Sequence, residues 1–244
     1  MRFSVELILE NEALPKDKNR IILSIMKSCF SSYNQEYYQR LYEEKESKNK
    51  IKDFTFALYM QNCRFTKDEI IIPDKKVILN FSAYSPEDGI MFYNSFLTNK
   101  GKKQTIHNNI ITIGKMTLVK EKPIYDQQVI FKTLSPIVVR EHGGDNKKTW
   151  YHSLETEEGQ AIFMENLKYQ LSDVFGERGL LDFEDIKVEV DSDIRKVKVK
   201  NYGIEVHSSI GKIRIKAQPY ILDYLYKAGI GSKRGSGFGM VDIV

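Results

Sequence analysis

Hydrophobic and polar residues alternate at the start of the chain, and this period of two predicts a half-buried strand over Phe3–Leu9. Over Lys16–Phe30 the apolar residues recur with helical spacing, and a shorter helical run follows around Tyr37–Glu46. The polar stretch Glu43–Lys50 predicts a mobile loop. The chain therefore opens with a strand, a helical region and a loop.

Two strands, a helix and a long strand follow. Phe54–Met60 is rich in aromatic residues, and Val77–Ala83 alternates cleanly after the turn residues Pro73-Asp74, so both segments predict strands. Pro86 begins a predicted helix near Pro86–Leu97, and the strand after it runs to about Val119. The predicted order of this half is β-α-β-β-α-β.

The same order recurs after a short connector, Lys120–Gln128. The predicted elements are a strand over Val129–Val139 broken at Ser135-Pro136, a helix from Thr156, strand segments over Ile186–Val190, Ile194–Val199 and Ile210–Ala217, a helix over Tyr220–Ala228 and a last strand over Phe238–Val244. A polar loop with Gly143-Gly144 precedes the first helix of this half. We therefore predict an α+β fold of two tandem ferredoxin-like (RRM-like) domains, residues 1–122 and 123–244.

Composition narrows the class of protein. The 244 residues are 41% hydrophobic and 29% charged, which is ordinary globular usage. No apolar run is long enough to span a membrane, and Glu6 and Glu10 lie where a secretory signal would be apolar, so we expect a cytoplasmic protein. Cys29 and Cys63 lack metal-ligand spacing, and neither a metal nor a cofactor is expected.

Five of the 15 glycines fall within eleven residues near the C-terminus. They are Gly229, Gly231, Gly235, Gly237 and Gly239, and they surround Lys233 and Arg234. Nucleotide-binding glycine loops run from a strand to a helix, whereas this segment runs from a helix to a strand. Its backbone N–H groups and two cations predict a grip on phosphates, and a glycine-capped turn is the alternative.

Basic residues cluster just upstream. Between Arg195 and Lys216 there are seven Lys or Arg residues and one acidic residue, a local charge of +6 on a chain with a net charge of +4. We predict RNA-backbone contacts by Lys196, Lys198, Lys200, Lys212, Arg214 and Lys216, together with Gly229, Gly231, Ser232, Lys233, Arg234, Gly235 and Gly237 of the glycine loop. Solvated strand-edge lysines are the alternative interpretation. Arg140 and Trp150, near Lys147 and Lys148, form a basic and aromatic segment suited to stacking on an unpaired base.

The glycine loop resembles that of the CRISPR-associated RAMP proteins, specifically the stand-alone endoribonucleases that cut CRISPR repeat RNA. The opening Met1-Arg-Phe and the segment Thr133-Leu-Ser-Pro-Ile-Val-Val139 are also similar to that family. The resemblance implies a tandem ferredoxin-like fold and metal-independent cleavage of precursor CRISPR RNA. The upstream 2′-hydroxyl attacks the phosphate, giving a 2′,3′-cyclic phosphate and a 5′-hydroxyl. CRISPR repeat RNA is the implied partner, and other effector subunits and a homodimer stay open.

Members of that family place a histidine after the first long helix, a tyrosine within it and a lysine before the second strand. Here none of His107, His142, His152 and His207 lies in Asp17–Asp53, and Tyr42 stands at the histidine position. Lys52 matches the lysine, and the tyrosine position falls near Lys27. The resemblance therefore implies Tyr42, Lys52 and Lys27 as catalytic residues.

Tyrosine, with a pKa near 10, is a poor general base at neutral pH, but Tyr42 could donate a proton while Lys52 stabilises charge. An aromatic residue packed on a helix face is the alternative for Tyr42. Because the histidine is missing, a catalytically silent RNA-binding or structural subunit of a CRISPR effector complex is the second functional hypothesis.

Overall fold

The computed structural model of the chain describes residues 1–43, 52–142 and 149–244. The first half contains β1 (Arg2–Leu9), β2 (Ala13–Pro15), α1 (Lys18–Tyr33), α2 (Gln35–Tyr42), β3 (Phe54–Tyr59), β4 (Arg64–Phe65), β5 (Glu69–Ile71), β6 (Lys76–Ala83), α3 (Pro86–Thr98), β7 (Lys103–Ile106) and β8 (Asn109–Val119). The second half contains β9 (Gln128–Thr133), β10 (Val139–His142), β11 (Thr149–His152), α4 (Glu157–Phe175), α5 (Glu177–Phe183), β12 (Lys187–Val190), β13 (Arg195–Asn201), β14 (Ile204–Ile210), β15 (Lys212–Lys216), α6 (Pro219–Ala228), a 3₁₀ turn (Arg234–Ser236) and β16 (Val241–Ile243).

The main sheet of the first half is antiparallel, with the order β3-β6-β1-β8-β7. Its alternating apolar residues face α1 and α3, and all three contribute to one aromatic-rich core. Phe92 of α3 stacks on Phe30 of α1 at 4.5 Å and lies 4.7 Å from Phe81 of β6, measured between ring centroids. The predicted βαββαβ unit is confirmed, with β2, β4 and β5 forming a small additional sheet.

The second half repeats this topology, since β12-β15-β9-β16 is again an antiparallel sheet. Its central strands, β9 and β15, are the first and third of the unit in chain order, as β1 and β6 are in the first half. Its core takes apolar residues from the sheet, α4 and α6. Local signals begin the helices: the Thr156 hydroxyl accepts a hydrogen bond from the backbone N–H of Gly159 at 3.1 Å, and Pro219 occupies the first turn of α6. The α+β fold of two tandem ferredoxin-like units is confirmed, while the boundary at residue 122 stays a prediction.

The sequence analysis missed several elements: the helix α5, the strand β14, the hairpin of β10 and β11, and the short strands β2, β4, β5 and β7. A short helix, α5, follows α4 directly. The strands β13 and β14 form a separate hairpin between β12 and β15, so the segments Ile194–Val199 and Ile210–Ala217 belong to different sheets. Most of the predicted loop Glu43–Lys50, and the Gly143-Gly144 loop, lie outside the described residues. No helix in the described parts of the chain is both long and apolar enough to cross a membrane.

Candidate active site

A cleft of about 570 Å³ lies between α1, α2 and β3 of the first half and α4 and the glycine loop of the second. All three predicted catalytic residues line it, together with part of the predicted RNA-binding loop. The lining residues are Leu23, Lys27, Tyr42, Lys52, Phe54, Arg140, Asn166, Tyr169, Gln170, Tyr202, Gly231, Ser232, Lys233, Arg234, Gly235 and Ser236. Tertiary folding thus joins residues that are up to about 200 positions apart in sequence.

The ring of Tyr42 lies close to both Lys27 and Lys52. It is the last residue of α2, a helix that begins where the side chain of Asn34 accepts a hydrogen bond from the Tyr37 backbone at 2.8 Å. The ammonium nitrogen of Lys27 lies 4.4 Å from the centroid of the Tyr42 ring, and that of Lys52 lies 5.6 Å from it. Both distances are typical of cation–π contacts. The ring therefore holds two cations next to each other in the cleft.

The predicted catalytic role of Tyr42 stays a prediction, and the surroundings of its hydroxyl bear on it. Its hydroxyl oxygen is buried and has no hydrogen-bond partner among the described residues. Burial, followed by the negative charge of Asp88, raises the pKa of Tyr42 above its ordinary value. A hydroxyl that is covered by protein does not contact RNA in this conformation. The packed helix-face aromatic, the alternative given above, describes Tyr42 better.

The two lysines differ in environment. Partial burial lowers the pKa of Lys27, and the carboxylate of Glu43 opposes this effect. Lys52 donates a hydrogen bond from its ammonium group to the carbonyl oxygen of Leu41. Lys27 therefore loses its proton more readily than an ordinary lysine, whereas Lys52 is held in place by its hydrogen bond to Leu41.

The glycine loop is fixed on its own half by backbone contacts. The N–H of Ser232 donates to the carbonyl of Val138 at 2.8 Å, and the Ser232 hydroxyl donates to the side-chain oxygen of Asn166 at 2.9 Å. A Cβ atom at Gly231 would lie 2.7 Å from the Val138 carbonyl oxygen, so only glycine allows this approach. Lys233 has a left-handed backbone, with φ of 60°, and its ammonium nitrogen lies 5.6 Å from the centroid of the Tyr151 ring.

The other end of the loop packs against the first half. The side-chain amide of Asn19 donates to the carbonyls of Ser236 and Gly237, both at 3.1 Å, and the Thr55 hydroxyl donates to the carbonyl of Phe238 at 2.7 Å. At Gly237, where φ is 83°, a Cβ atom would lie 2.5 Å from the ring of Phe56. The loop therefore joins the two halves, a role that its glycine content alone did not indicate.

Arg234 is the clearest departure from the predicted phosphate contacts. It is 4% exposed, and its guanidinium donates to the Tyr224 hydroxyl at 3.0 Å and to the Gly229 carbonyl at 3.3 Å. It also lies 3.9 Å from Asp53, whose carboxylate accepts a 2.9 Å hydrogen bond from Tyr224. Burial raises the pKa of Tyr224 to about 12, so this hydroxyl keeps its proton. Arg234 therefore links the two halves of the protein, although part of it also lines the cleft.

The residues of the predicted basic stripe lie on two different sheets, and their RNA contacts stay a prediction. Lys196, Lys198 and Lys200 are all exposed on β13, which pairs with β14. Lys212, Arg214 and Lys216 lie on β15, in a different sheet. Ion pairs at 3.5 Å and 3.2 Å join Lys212 to Asp193 and Arg214 to Glu189. The strand between the two groups was missed, so their shared alternation did not imply a shared face.

Of the residues predicted to bind RNA on the β10–β11 hairpin, one lines the cleft and one does not. Arg140 lines the cleft, and its Nε atom is buried without a hydrogen-bond partner in the described residues. Trp150 is 47% exposed but does not line the cleft. Lys147 and Lys148 lie outside the described residues. Arg140 is therefore the residue of this segment that the fold brings to the candidate site.

Histidines do not contribute to the cleft as far as the described side chains show. His107 lies in the turn between β7 and β8, His152 contacts Glu141 at 2.8 Å, and His207 lies on β14. The structure instead adds residues that the sequence analysis missed, namely Asn166, Tyr169, Gln170 and Tyr202. Tyr169 lies off the apolar stripe of its helix, and an exposed aromatic at such a position was the available signal.

Several solved structures share the whole fold. One, from the characterization of a Cas6-related gene from Pyrococcus furiosus, has a TM-score of 0.83 and 21% identity over 100% of this chain and 98% of the other. A RAMP protein binding different RNA substrates has a TM-score of 0.82 and 22% sequence identity, over 100% of this chain and 99% of the other. A CRISPR associated protein Cas6 has a TM-score of 0.73 and 24% sequence identity, over 100% of this chain and 99% of the other. At these identities the likeness establishes the fold.

The tandem ferredoxin-like fold, closed by a glycine loop, is that of a RAMP protein. Residues 119–243, just over half of the chain, also match the family model for CRISPR associated protein Cas6, C-terminal. The chain therefore belongs to the Cas6 family. No curated protein is similar enough in sequence to count as a match.

The role of Gly237 in joining the halves predicts a specific loss of stability. Gly237→Ala places a Cβ against Phe56, whereas Gly101→Ala, at a similar φ of 79° and with no atom within 4 Å, introduces only backbone strain. We expect the free energy of unfolding, measured in urea, to fall by about 1–3 kcal/mol more for Gly237→Ala. Equal losses in both variants would contradict the close packing described.

The contrast between Arg234 and Lys233 gives a second prediction. Arg234→Met leaves Asp53 and Tyr224 without their cation, so the free energy of unfolding should fall by about 1–3 kcal/mol. Lys233→Met, one residue away but partly exposed, should change it by no more than about 0.5 kcal/mol. Urea denaturation of both variants measures this difference. If Arg234 mainly served RNA, both variants would be as stable as the parent protein.

Proposed function

We propose that this protein is an endoribonuclease that binds CRISPR repeat RNA in the cleft and cleaves precursor CRISPR RNA there. Family membership supports the RNA substrate, and a similar RAMP protein binds different RNA substrates. The observation that carries the proposal is the pair of lysines, Lys27 and Lys52, held over one ring opposite a glycine loop. A cationic cleft of this kind suits a phosphodiester whose charge increases in the transition state.

The reaction needs no outside nucleophile, because RNA supplies its own 2′-hydroxyl. The neutral amine of Lys27 accepts the 2′-hydroxyl proton, the 2′-oxygen bonds to phosphorus, and the bond from phosphorus to the 5′-oxygen breaks. Water protonates the departing 5′-oxygen, and the hydroxide that this leaves takes the proton from the Lys27 ammonium group, so the amine is neutral again. The ammonium group of Lys52 stabilises the charged phosphorane. The products are a 2′,3′-cyclic phosphate and a 5′-hydroxyl, and no step requires a metal ion.

Tyr42 acts as a positioning residue in this scheme. Its ring faces both ammonium groups, and moving either lysine by even about 1 Å would disturb in-line attack. Ser232, Lys233 and Gly235 line the same cleft, where Lys233 supplies a positive charge for the phosphates and Arg140 a second one. The exposed lysines of β13 extend the path for the RNA backbone.

Cleavage by lysine variants tests the assignment. With precursor CRISPR RNA in EDTA, we expect Lys27→Met and Lys52→Ala each to slow formation of the cyclic-phosphate product about 100-fold or more. Their affinity for RNA with a 2′-deoxy group at the cut should change far less. Lys67→Ala, an exposed lysine away from the cleft, is the matched control. Undiminished cleavage by both cleft variants would refute the roles given to these lysines.

The pH profile provides an independent check on Lys27. Only the neutral amine accepts a proton, and its fraction rises about tenfold per pH unit below the pKa. Because burial lowers the pKa of Lys27, the single-turnover rate should rise with pH and level off below the ordinary lysine value of 10.5. Lys27→Arg keeps the positive charge but stays protonated, so it should lose activity. A flat profile for the parent protein would exclude Lys27 as the base.

A second function is favoured by one observation, the lack of histidine among the described residues of the cleft. In that case the protein would bind repeat RNA without cleaving it. A gel-shift assay and a cleavage assay on the same RNA separate the two functions, because a shifted but intact RNA identifies a binding subunit.

A further inference from the structure

Two exposed tyrosines line the cleft without a role in the proposed cleavage. Tyr169 of α4 is 74% exposed, and Tyr202, in the turn between β13 and β14, is 52% exposed. Within the described residues, neither ring packs against another aromatic ring. Large aromatic surfaces are usually buried in a folded protein, so two exposed rings in one cleft need an explanation.

The backbone makes Tyr202 an unusual choice for its position. Tyr202 and Gly203 form the two-residue turn, with φ of 52° and 80°. Such turns favour Asn-Gly, because both central residues have positive φ and a bulky side chain is penalised there. Turn formation therefore does not select a tyrosine. Strain of this kind at the edge of a cleft points to a functional side chain.

The tip of the hairpin is also held in place. The N–H of Gly203 donates to the carboxylate of Asp17 at 3.2 Å, which ties the turn to the start of α1. The guanidinium of Arg20, an exposed residue, lies 5.5 Å from the centroid of the Tyr202 ring. The ring is therefore positioned against the first half of the protein, with a cation beside it that suits a phosphate.

Tyr169 is positioned from the second half. Its neighbour Gln170 is 4% exposed and donates from its side-chain amide to the carbonyl of Gly229 at 3.2 Å. Asn166, one turn earlier, accepts the hydrogen bond from Ser232. These two contacts fix this stretch of α4 to the glycine loop. Tyr169 belongs to the same stretch and lines the cleft.

We propose that Tyr169 and Tyr202 are platforms on which unpaired RNA bases stack, so that the cleft selects RNA that is single-stranded at the bound site. Bases in a duplex already stack on their neighbours and offer no free face, whereas an unpaired base can stack on an aromatic ring. The inference rests on the RNA binding of the proposed function and is independent of cleavage. It assigns base recognition to the tyrosines and phosphate recognition to the lysines and the loop.

Removal of the bases from the RNA separates these two contributions. We would measure, by fluorescence anisotropy, binding of a labelled oligouridylate of about 12 nucleotides and of a ribose–phosphate chain of the same length without bases. We expect Tyr169→Ala and Tyr202→Asn each to weaken oligouridylate binding about 5- to 150-fold and to leave binding of the baseless chain unchanged. The oligouridylate paired with oligoadenylate should bind the parent protein more weakly, with no effect of either substitution.

The choice of Asn at position 202 and two further variants guard against a purely structural effect. Asn suits the left-handed turn, so Tyr202→Asn should keep the hairpin intact. Tyr202→Phe retains the ring and should bind as the parent protein does. Tyr125→Ala removes a tyrosine that is 83% exposed and outside the cleft, and it should have no effect.

The possible failures are distinguishable. If the parent protein binds oligouridylate and the Tyr169 and Tyr202 variants bind equally well, the stacking inference is wrong and RNA binding stands. If the variants lose the baseless chain to the same degree, the tyrosines support the fold or the phosphate contacts, and stacking is again wrong. If the parent protein binds neither oligouridylate nor its own repeat RNA, the proposed function fails together with this inference.

Discussion

Close backbone packing between the glycine loop and β3 holds the two halves of this protein together, and the cleft depends on it. Gly237 lies against Phe56, and Thr55 bonds to the carbonyl that follows. Next to this contact, Arg234 and Tyr224 meet the carboxylate of Asp53. A buried cation needs such partners, because losing its hydration is costly. The same segment thus closes the interface with one face and places Lys233 at the cleft with the other.

The electrostatics of the cleft follow from this closure. Two lysines contact one ring, the face of Tyr42 favours their charged forms, and the carbonyl of Leu41 accepts a hydrogen bond from Lys52. Partial burial weighs against the charged form of Lys27. In the proposed function this arrangement removes the need for a histidine, since a partly buried lysine can act as a base where an exposed one cannot. It also explains why a tyrosine at the expected histidine position need not replace the histidine in function.

Sequence reasoning succeeded where the signal is local. The period-two strands, the helical stripes, Pro219 and the cap at Thr156 depend on neighbours within a few residues, and they led to the tandem fold. It failed where partners are distant. The lysines of β13 and of β15 alternate alike, yet the intervening β14 assigns them to separate sheets. Alternation reports which residues share a face of one strand, and it carries no information about which strands pair.

The residues of the sequence by themselves determined the family, the α+β class and nine members of the cleft: Lys27, Tyr42, Lys52, Arg140, Gly231, Ser232, Lys233, Arg234 and Gly235. The tertiary structure decided what each one does. It buried the hydroxyl of Tyr42, turned Arg234 into a brace between the halves and brought Tyr169 and Tyr202 to one cleft. The physical reason is that a residue type fixes which chemistry is available, whereas burial and the partners within reach of its polar atoms decide which part of that chemistry the protein can use.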